Sequence, residues 1–152
     1  MSYTYCFFHV VFRTKHSAKA IPQTHERELY ELIWRFCESK GVRLRRINGM
    51  EEHLHLGVEL PPTYAVADFV RDVKKYTSAV LKTNPHFPHF NGWAEGYCAL
   101  GYCIDAVPKV LQYIRTQKEH HSGVSFQTEM DEMVQLTGIE INEEYFQKAW
   151  VE

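Results

Sequence analysis

Two histidines stand one residue apart in EEHLHLGVEL (51–60), an otherwise apolar run. Strand side chains alternate between faces. Leu54, Leu56, Val58 and Leu60 therefore line one face, and His53, His55, Gly57 and Glu59 the other. Four aliphatics suit a core covered by helices. Two imidazoles beside a glycine suit a polar site with room for something to approach. A buried imidazole without partners is costly, so the pair needs a reason. At i and i+2 the rings point the same way, at a separation suited to chelating one divalent cation. Two partly exposed, hydrogen-bonded histidines are the alternative, and the strand alone leaves both open.

A second group lies in VPKVLQYIRTQKEHH (107–121). Val107, Val110, Leu111 and Ile114 recur at helical spacing and form an inward stripe. Tyr113 and Gln117, four apart, lie one above the other on a different stripe. They offer a phenol oxygen and an amide oxygen along one line. A boundary aromatic and a surface glutamine would look the same.

The elements that must position these groups are legible in outline. YTYCFFHVVFRT (3–14) is rich in aromatic and β-branched residues and predicts a long strand, apolar on both faces. After a loop with Pro22, Thr24 is a candidate cap for a helix to about Lys40, with Leu29, Ile33, Phe36 and Cys37 inside. Gly41 stops it. Strands follow at about 42–47 and 53–60, joined by a turn around NGMEE. A second helix is expected over 65–81, with Val66, Phe69, Val70, Val73 and Val80 inside. An irregular stretch then leads to a strand at about 97–104. Asp105 is the expected cap of a third helix, with Pro108 in its first turn, running to about His121. The order β-α-β-β-α-β followed by a helix is the ferredoxin-like α+β pattern. Its usual antiparallel strand order, 4-1-3-2, makes the histidine strand central.

The chain has 152 residues, 45% hydrophobic and 14% aromatic, which is globular composition and enough for one cored domain. No apolar run approaches a membrane span and no signal-peptide order opens the chain. Cys6, Cys37, Cys98 and Cys103 form no C-x-x-C, so reduced thiols and a cytoplasmic location are expected. The net charge of −2 hides an asymmetry. Residues 1–128 carry 16 Lys+Arg against 12 Asp+Glu, while 129–152 carry seven acidic residues and Lys148 alone as a base. We divide the chain into 1–124, holding both groups, and an acidic tail, 125–152, belonging to the same single domain.

The combination of H-hydrophobic-H on a strand with Y-x-x-x-Q on a later helix resembles the single-tyrosine HUH transposases of small insertion sequences, and their REP-associated relatives. The likeness extends in order from Tyr3 to His121. FFHVVFRTKH resembles the family's first strand, INGMEEHLHLGVELPP its histidine strand and VADFVRDVKKYTS its second helix. FNGWAEGYCALGYC resembles its W-x-x-G-Y strand entry, and VLQYIRTQKEHH its nucleophile helix. Glu52 stands where the family often has Asp, Lys75 where glycine is common, and Ala94 where Gln is frequent.

The resemblance implies a metal-dependent nuclease and strand transferase acting on single-stranded DNA, with recognition of hairpins at element ends. His53, His55 and Gln117 would hold Mg²⁺ or Mn²⁺. Tyr113 would attack the scissile phosphate, forming a 5′-phosphotyrosine and freeing a 3′-OH. A free tyrosine, with a pKa of about 10, is only roughly 0.1% phenolate at neutral pH, so the nucleophile must lose its proton to a partner that the sequence does not name. Arg13, Lys15, Arg43, Arg45, Arg46, Lys74 and Lys75 are candidates for phosphate contacts. Phe87, Phe90 and Trp93 are candidates for base stacking, with core packing the better account of Trp93. The family implies a homodimer associated with the nucleoid, in which the tyrosine helix can complete the partner's site. Spacing does not decide between that and an in-chain site. A domesticated nucleic-acid-binding module, and a phosphodiester hydrolase without a covalent intermediate, are competing readings. A zinc site using Cys98 or Cys103 lacks a four-ligand spacing.

Overall fold

A computed structural model describes residues 1–120 and 125–136. Four antiparallel strands, β1 (Cys6–Arg13), β2 (Arg43–Gly49), β3 (His53–Leu60) and β4 (Cys98–Gly101), form one sheet in the order β2-β3-β1-β4. Helices α1 (Glu26–Ser39) and α2 (Val66–Leu81) make the two crossovers. Helices α3 (Val107–Arg115), α4 (Gln117–His120) and α5 (Phe126–Leu136) follow. This is the expected α+β ferredoxin-like arrangement, with the histidine strand central.

The alternation expected for β3 organises the whole molecule. Opposed residues on antiparallel strands share a face, and Val10 pairs with Leu56 while Phe12 pairs with Leu54. With Val58 these form the main core, together with Leu29 and Ile33 of α1 and Phe69, Val70 and Val73 of α2. On the opposite face Val11 pairs with His55, Arg13 with His53, and His9 with Gly57. That face carries a smaller apolar cluster, Val11, Cys98 and Leu100 under Met130 of α5.

Several boundaries differ from the sequence expectations. Thr24 does not cap α1: His25 occupies the cap position without a side-chain bond to the helix. Gly41, at φ +68°, ends that helix as expected. In α2 the inward positions after Val73 are Thr77 and Leu81, whereas Val80 is exposed. Thr77 is accommodated because its hydroxyl donates to the Val73 carbonyl (2.8 Å) and accepts from Trp93 Nε1 (2.8 Å). Asp105 is not the cap of α3, which starts after Ala106. The expected single helix to His121 breaks at Thr116, whose hydroxyl donates back to the Gln112 carbonyl at 3.1 Å, a contact that bends helices.

The β2–β3 turn is tight. A methyl at Gly49 would fall on the His53 carbonyl oxygen and within 3.0 Å of Leu54 Cα, both backbone atoms. Gly49→Ala is therefore expected to cost about 2 kcal/mol or more, because backbone rather than a pliable side chain must move. A drop of that size in the denaturation midpoint at unchanged slope checks it.

Candidate active site

His53 and His55 are fully buried, and each ring is held through Nδ1. Glu52 Oε1 lies 3.0 Å from His53 Nδ1, and His9 Nε2 lies 2.8 Å from His55 Nδ1. His9 also stacks on His55, with ring centroids 5.0 Å apart. Burial lowers the His9 pKa to about 4 against the attraction of Glu129, so its imidazole is neutral at physiological pH. A partner at Nδ1 fixes tautomer and ring orientation and turns Nε2 to the site. His55 Nε2 lies 3.5 Å from Glu129 Oε1.

Helix α3 brings Tyr113 over these rings, at 5.9 Å from His55 and 5.8 Å from His9 between ring centroids. Gly57 allows that approach. A Cβ there would lie 3.0 Å from Leu111 Cδ2 and 3.3 Å from Ile114 Cδ1. Gly57→Val should wedge α3 away from β3, costing about 1–3 kcal/mol. Its effect on Tyr113-dependent activity should exceed what the lost stability explains. Parallel measurement of melting temperature and turnover checks this.

The break at Thr116 leaves Gln117 at the start of α4, yet it remains beside Tyr113. Lys118 anchors the junction, donating to Asn48 Oδ1 (2.8 Å) and the Gly49 carbonyl (3.0 Å) and pairing with Glu26 (3.0 Å). Asn48 Nδ2 donates to the Arg115 carbonyl at 3.0 Å. Tyr113 thus faces the histidines of its own chain.

Glu129 of α5 completes the cluster. Its Oε1 accepts from the Tyr113 hydroxyl and, at 3.1 Å, from Gln117 Nε2. Burial, then the hydrogen bond and charge of Glu129, push the Tyr113 pKa well above that of an ordinary phenol. Phe126, also on α5, lies against His53 at 4.3 Å between ring centroids. Ligand atoms of His53, His55 and Glu129 all lie within 4.8 Å of one another. Two imidazoles and a carboxylate are a donor set for a divalent cation.

Sequence reasoning brought together four of these residues and missed three. His9 carried a signal, since alternation along β1 puts it on the face that pairs with the histidine strand. Glu52 stands out in the sequence only as a departure from the family's Asp. Glu129 carried none, being remote from both motifs in the chain.

The basic candidates separate into distinct settings. Arg13 is buried and donates to Ser17 Oγ at 2.6 Å, so its side chain is internal rather than on the surface. Lys74 Nζ donates to the carbonyls of Ala94 (2.9 Å) and Gly96 (2.7 Å), and burial lowers its pKa to about 8. Lys15 and Lys75 are exposed and, with Lys74 and Lys82, line an open groove of about 650 Å³ that includes Trp93. Arg43 and Arg45 pair with Glu59, each at 3.3 Å, and Arg46 is exposed on β2. Phe87 and Phe90 are buried, and Trp93 packs edge-on to Phe12 and Phe90. All three belong to the core side of the sheet.

The family model described as "Transposase IS200 like" matches residues 2–117, a span containing both histidines, Tyr113 and Gln117. The chain belongs to the IS200-like transposase family. It is 27% identical over 118 residues to the transposase of insertion sequence IS200 of Salmonella typhimurium strain LT2, covering 75% of this chain and 78% of that one. The Salmonella typhi counterpart matches equally. Two solved structures share the fold. One is a candidate transposase of Deinococcus radiodurans R1, with TM-score 0.57, 23% identity, and coverage of 77% of this chain and 95% of that one. The other is a REP-associated tyrosine transposase bound to a REP hairpin, with TM-score 0.59, 15% identity, and coverage of 82% and 74%. The protein is an enzyme of this transposase family. Among the described residues no helix is long and apolar enough to cross a membrane.

Proposed function

We propose that this transposase cleaves and rejoins single-stranded DNA through Tyr113, with His53, His55 and Gln117 holding Mg²⁺ or Mn²⁺. The observation that carries the reading is the convergence of a tyrosine hydroxyl with two buried imidazoles whose Nδ1 atoms are engaged elsewhere. The donor chemistry fits a divalent ion: two imidazole nitrogens from β3 and oxygen-bearing side chains from the helices above. When bound, the ion supplies Lewis acidity to the scissile phosphate and positive charge that favours the phenolate.

Helix α3 supplies the nucleophile and the rigid sheet beneath supplies its orientation. The Tyr113 oxygen forms a bond to phosphorus as the P–O3′ bond breaks. The phenol proton leaves along its hydrogen bond to Glu129, which relays it and does not keep it, and the departing oxygen takes up a proton to become a 3′-OH. The product is a 5′-phosphotyrosine. Because one phosphodiester has replaced another, attack by a new 3′-OH reverses the step and joins strands. No nucleotide triphosphate is required.

The groove lined by Lys15, Lys74, Lys75 and Lys82 is suited to a phosphate backbone. A neighbour of the same fold is bound to a REP hairpin, which favours hairpin-bearing DNA as the substrate here. The sequence division into a catalytic 1–124 and a tail 125–152 of the same domain is widened in this reading, because Glu129 of α5 joins the cluster; 121–124 and 137–152 lie outside the described residues. A homodimer and nucleoid association complete the proposal, on the family resemblance alone.

The test is incubation of labelled single-stranded DNA from the flanking genomic repeats with the protein and Mn²⁺ or Mg²⁺, followed by a denaturing gel. A slow-migrating covalent protein–DNA species supports the reading. Metal-dependent cleavage with no covalent species, also under single-turnover conditions, favours a hydrolase instead.

A further inference from the structure

We propose that Glu129 is a protein ligand of the divalent cation, so that the C-terminal helix α5 supplies an anionic oxygen to the site. This rests on the metal-dependent reading above. It goes beyond it, because Glu129 lies outside the matched span of 2–117 and outside both motifs.

Geometry comes first. Donors bound to one ion at about 2.1 Å lie roughly 3–4.2 Å apart. The ligand atoms of His53, His55 and Glu129 already lie within 4.8 Å of one another, so small shifts bring them onto one ion. Both rings present Nε2, because Glu52 and His9 hold the Nδ1 atoms. A carboxylate behind a ligating histidine, as Glu52 lies behind His53, is a common support in metal sites.

Charge is the second argument. His53, His55 and Gln117 are neutral donors, and hard cations prefer anionic oxygen. Before DNA supplies its phosphate, a divalent ion in a buried site among neutral donors alone would lack compensation. Glu129, only 7% exposed, is the carboxylate that reaches both His55 and the nucleophile.

Anchorage is the third. Met130, next to Glu129, is fully buried against Val11, Cys98 and Leu100, and Phe126, one turn earlier, lies on His53. Packing therefore holds Glu129 over the histidines. Its Oε1 takes hydrogens from Tyr113 and Gln117. With an ion bound, Glu129 would reach both it and the phenol, and so would set the attacking oxygen beside the scissile phosphate. Gln117 steadies Glu129 through Nε2 and would hold the ion through its amide oxygen.

Titration calorimetry with Mn²⁺ alone, on the full chain without DNA, tests this. Glu129→Gln, close in size and still able to hydrogen-bond, should weaken Mn²⁺ binding by more than about 10-fold. Glu38→Gln, the same charge change at an exposed position of α1, should leave it unchanged. His53→Ala/His55→Ala should abolish it. Wild-type affinity in Glu129→Gln, with binding lost in the histidine variant, would overturn the inference and leave the metal reading standing. Wild-type affinity in the histidine variant as well would overturn the metal reading itself. Melting curves in EDTA report whether the variants fold. If Glu129→Gln does not, pulsed electron paramagnetic resonance of the wild-type Mn²⁺ complex with ¹³C-carboxyl glutamate decides: a directly coordinated carboxyl gives a strong ¹³C coupling, and its absence refutes Glu129 as a ligand.

Discussion

Tyr113→Phe is expected to abolish the covalent protein–DNA species and to lower strand cleavage by about 10⁴–10⁶-fold, the range seen when an enzyme loses its nucleophile. The substitution deletes one oxygen and leaves the ring against His55 and His9. The lost hydrogen bond to Glu129 costs on the order of 1 kcal/mol. That is small against the ~5–15 kcal/mol that holds a domain folded. Mn²⁺ binding and DNA binding should therefore survive while chemistry does not. Single-turnover cleavage of end-labelled DNA, beside a binding isotherm on the same preparation, separates the two. Cleavage at the wild-type rate in Tyr113→Phe would remove the tyrosine from the mechanism, because phenylalanine has no nucleophile to offer. A smaller group placed nearby, such as water on the ion, would then be the attacking species.

His53→Ala and His55→Ala should each weaken Mn²⁺ binding by more than about 100-fold, above the effect of removing a mere supporting partner. Cleavage should fall in step at metal concentrations that saturate the wild type. The reading has a thermal counterpart. An ion held at 100 times its dissociation constant stabilises the folded state by about 2.7 kcal/mol. For a chain of this length that is a rise of roughly 5–10 °C in melting temperature. Wild type should show this rise on addition of Mn²⁺ and lose it in EDTA. Both histidine variants should melt at the same temperature with and without the ion. A wild-type protein indifferent to Mn²⁺ across that range would place the histidines in a purely structural role. Excess Mn²⁺ should partly restore cleavage in the single variants, since a weakened site can still be filled by mass action. It should not restore Tyr113→Phe, whose defect is chemical rather than in occupancy.

The two sets of variants also bear on how the site is assembled. Tyr113 faces the histidines of its own chain, with Lys118 and Asn48 tying the junction after α3 to β2. Mixing Tyr113→Phe with His53→Ala/His55→Ala regains activity only if chains exchange their tyrosine helices. For in-chain assembly the mixture stays inactive.

The sequence by itself determined the sheet, its two faces and the pair of motifs. Period-two alternation is a local property, so EEHLHLGVEL put His53 and His55 on one face and Leu54, Leu56 and Val58 on the other before any contact was known, and the register with β1 agrees. Gly41 ended its helix because its positive φ is a local demand. Local signals were weaker at helix starts, where Thr24 and Asp105 had the right chemistry but the cap of each helix fell one residue later. Tertiary packing overrode pattern in α2, where Thr77 went inward on the strength of hydrogen bonds to Val73 and Trp93 and Val80 was left outside. Charge was the least legible property. Arg13 and Lys74 read as surface cations, yet each is tied to oxygens within the fold. What only the tertiary structure decided was the company the histidines keep: His9 behind one, Glu52 beside the other and Glu129 above both. Those residues come from β1, the β2–β3 turn and a helix beyond the matched motifs. No spacing relates them, because they meet through strand pairing and through the burial of Met130, which carries its acidic neighbour to the site.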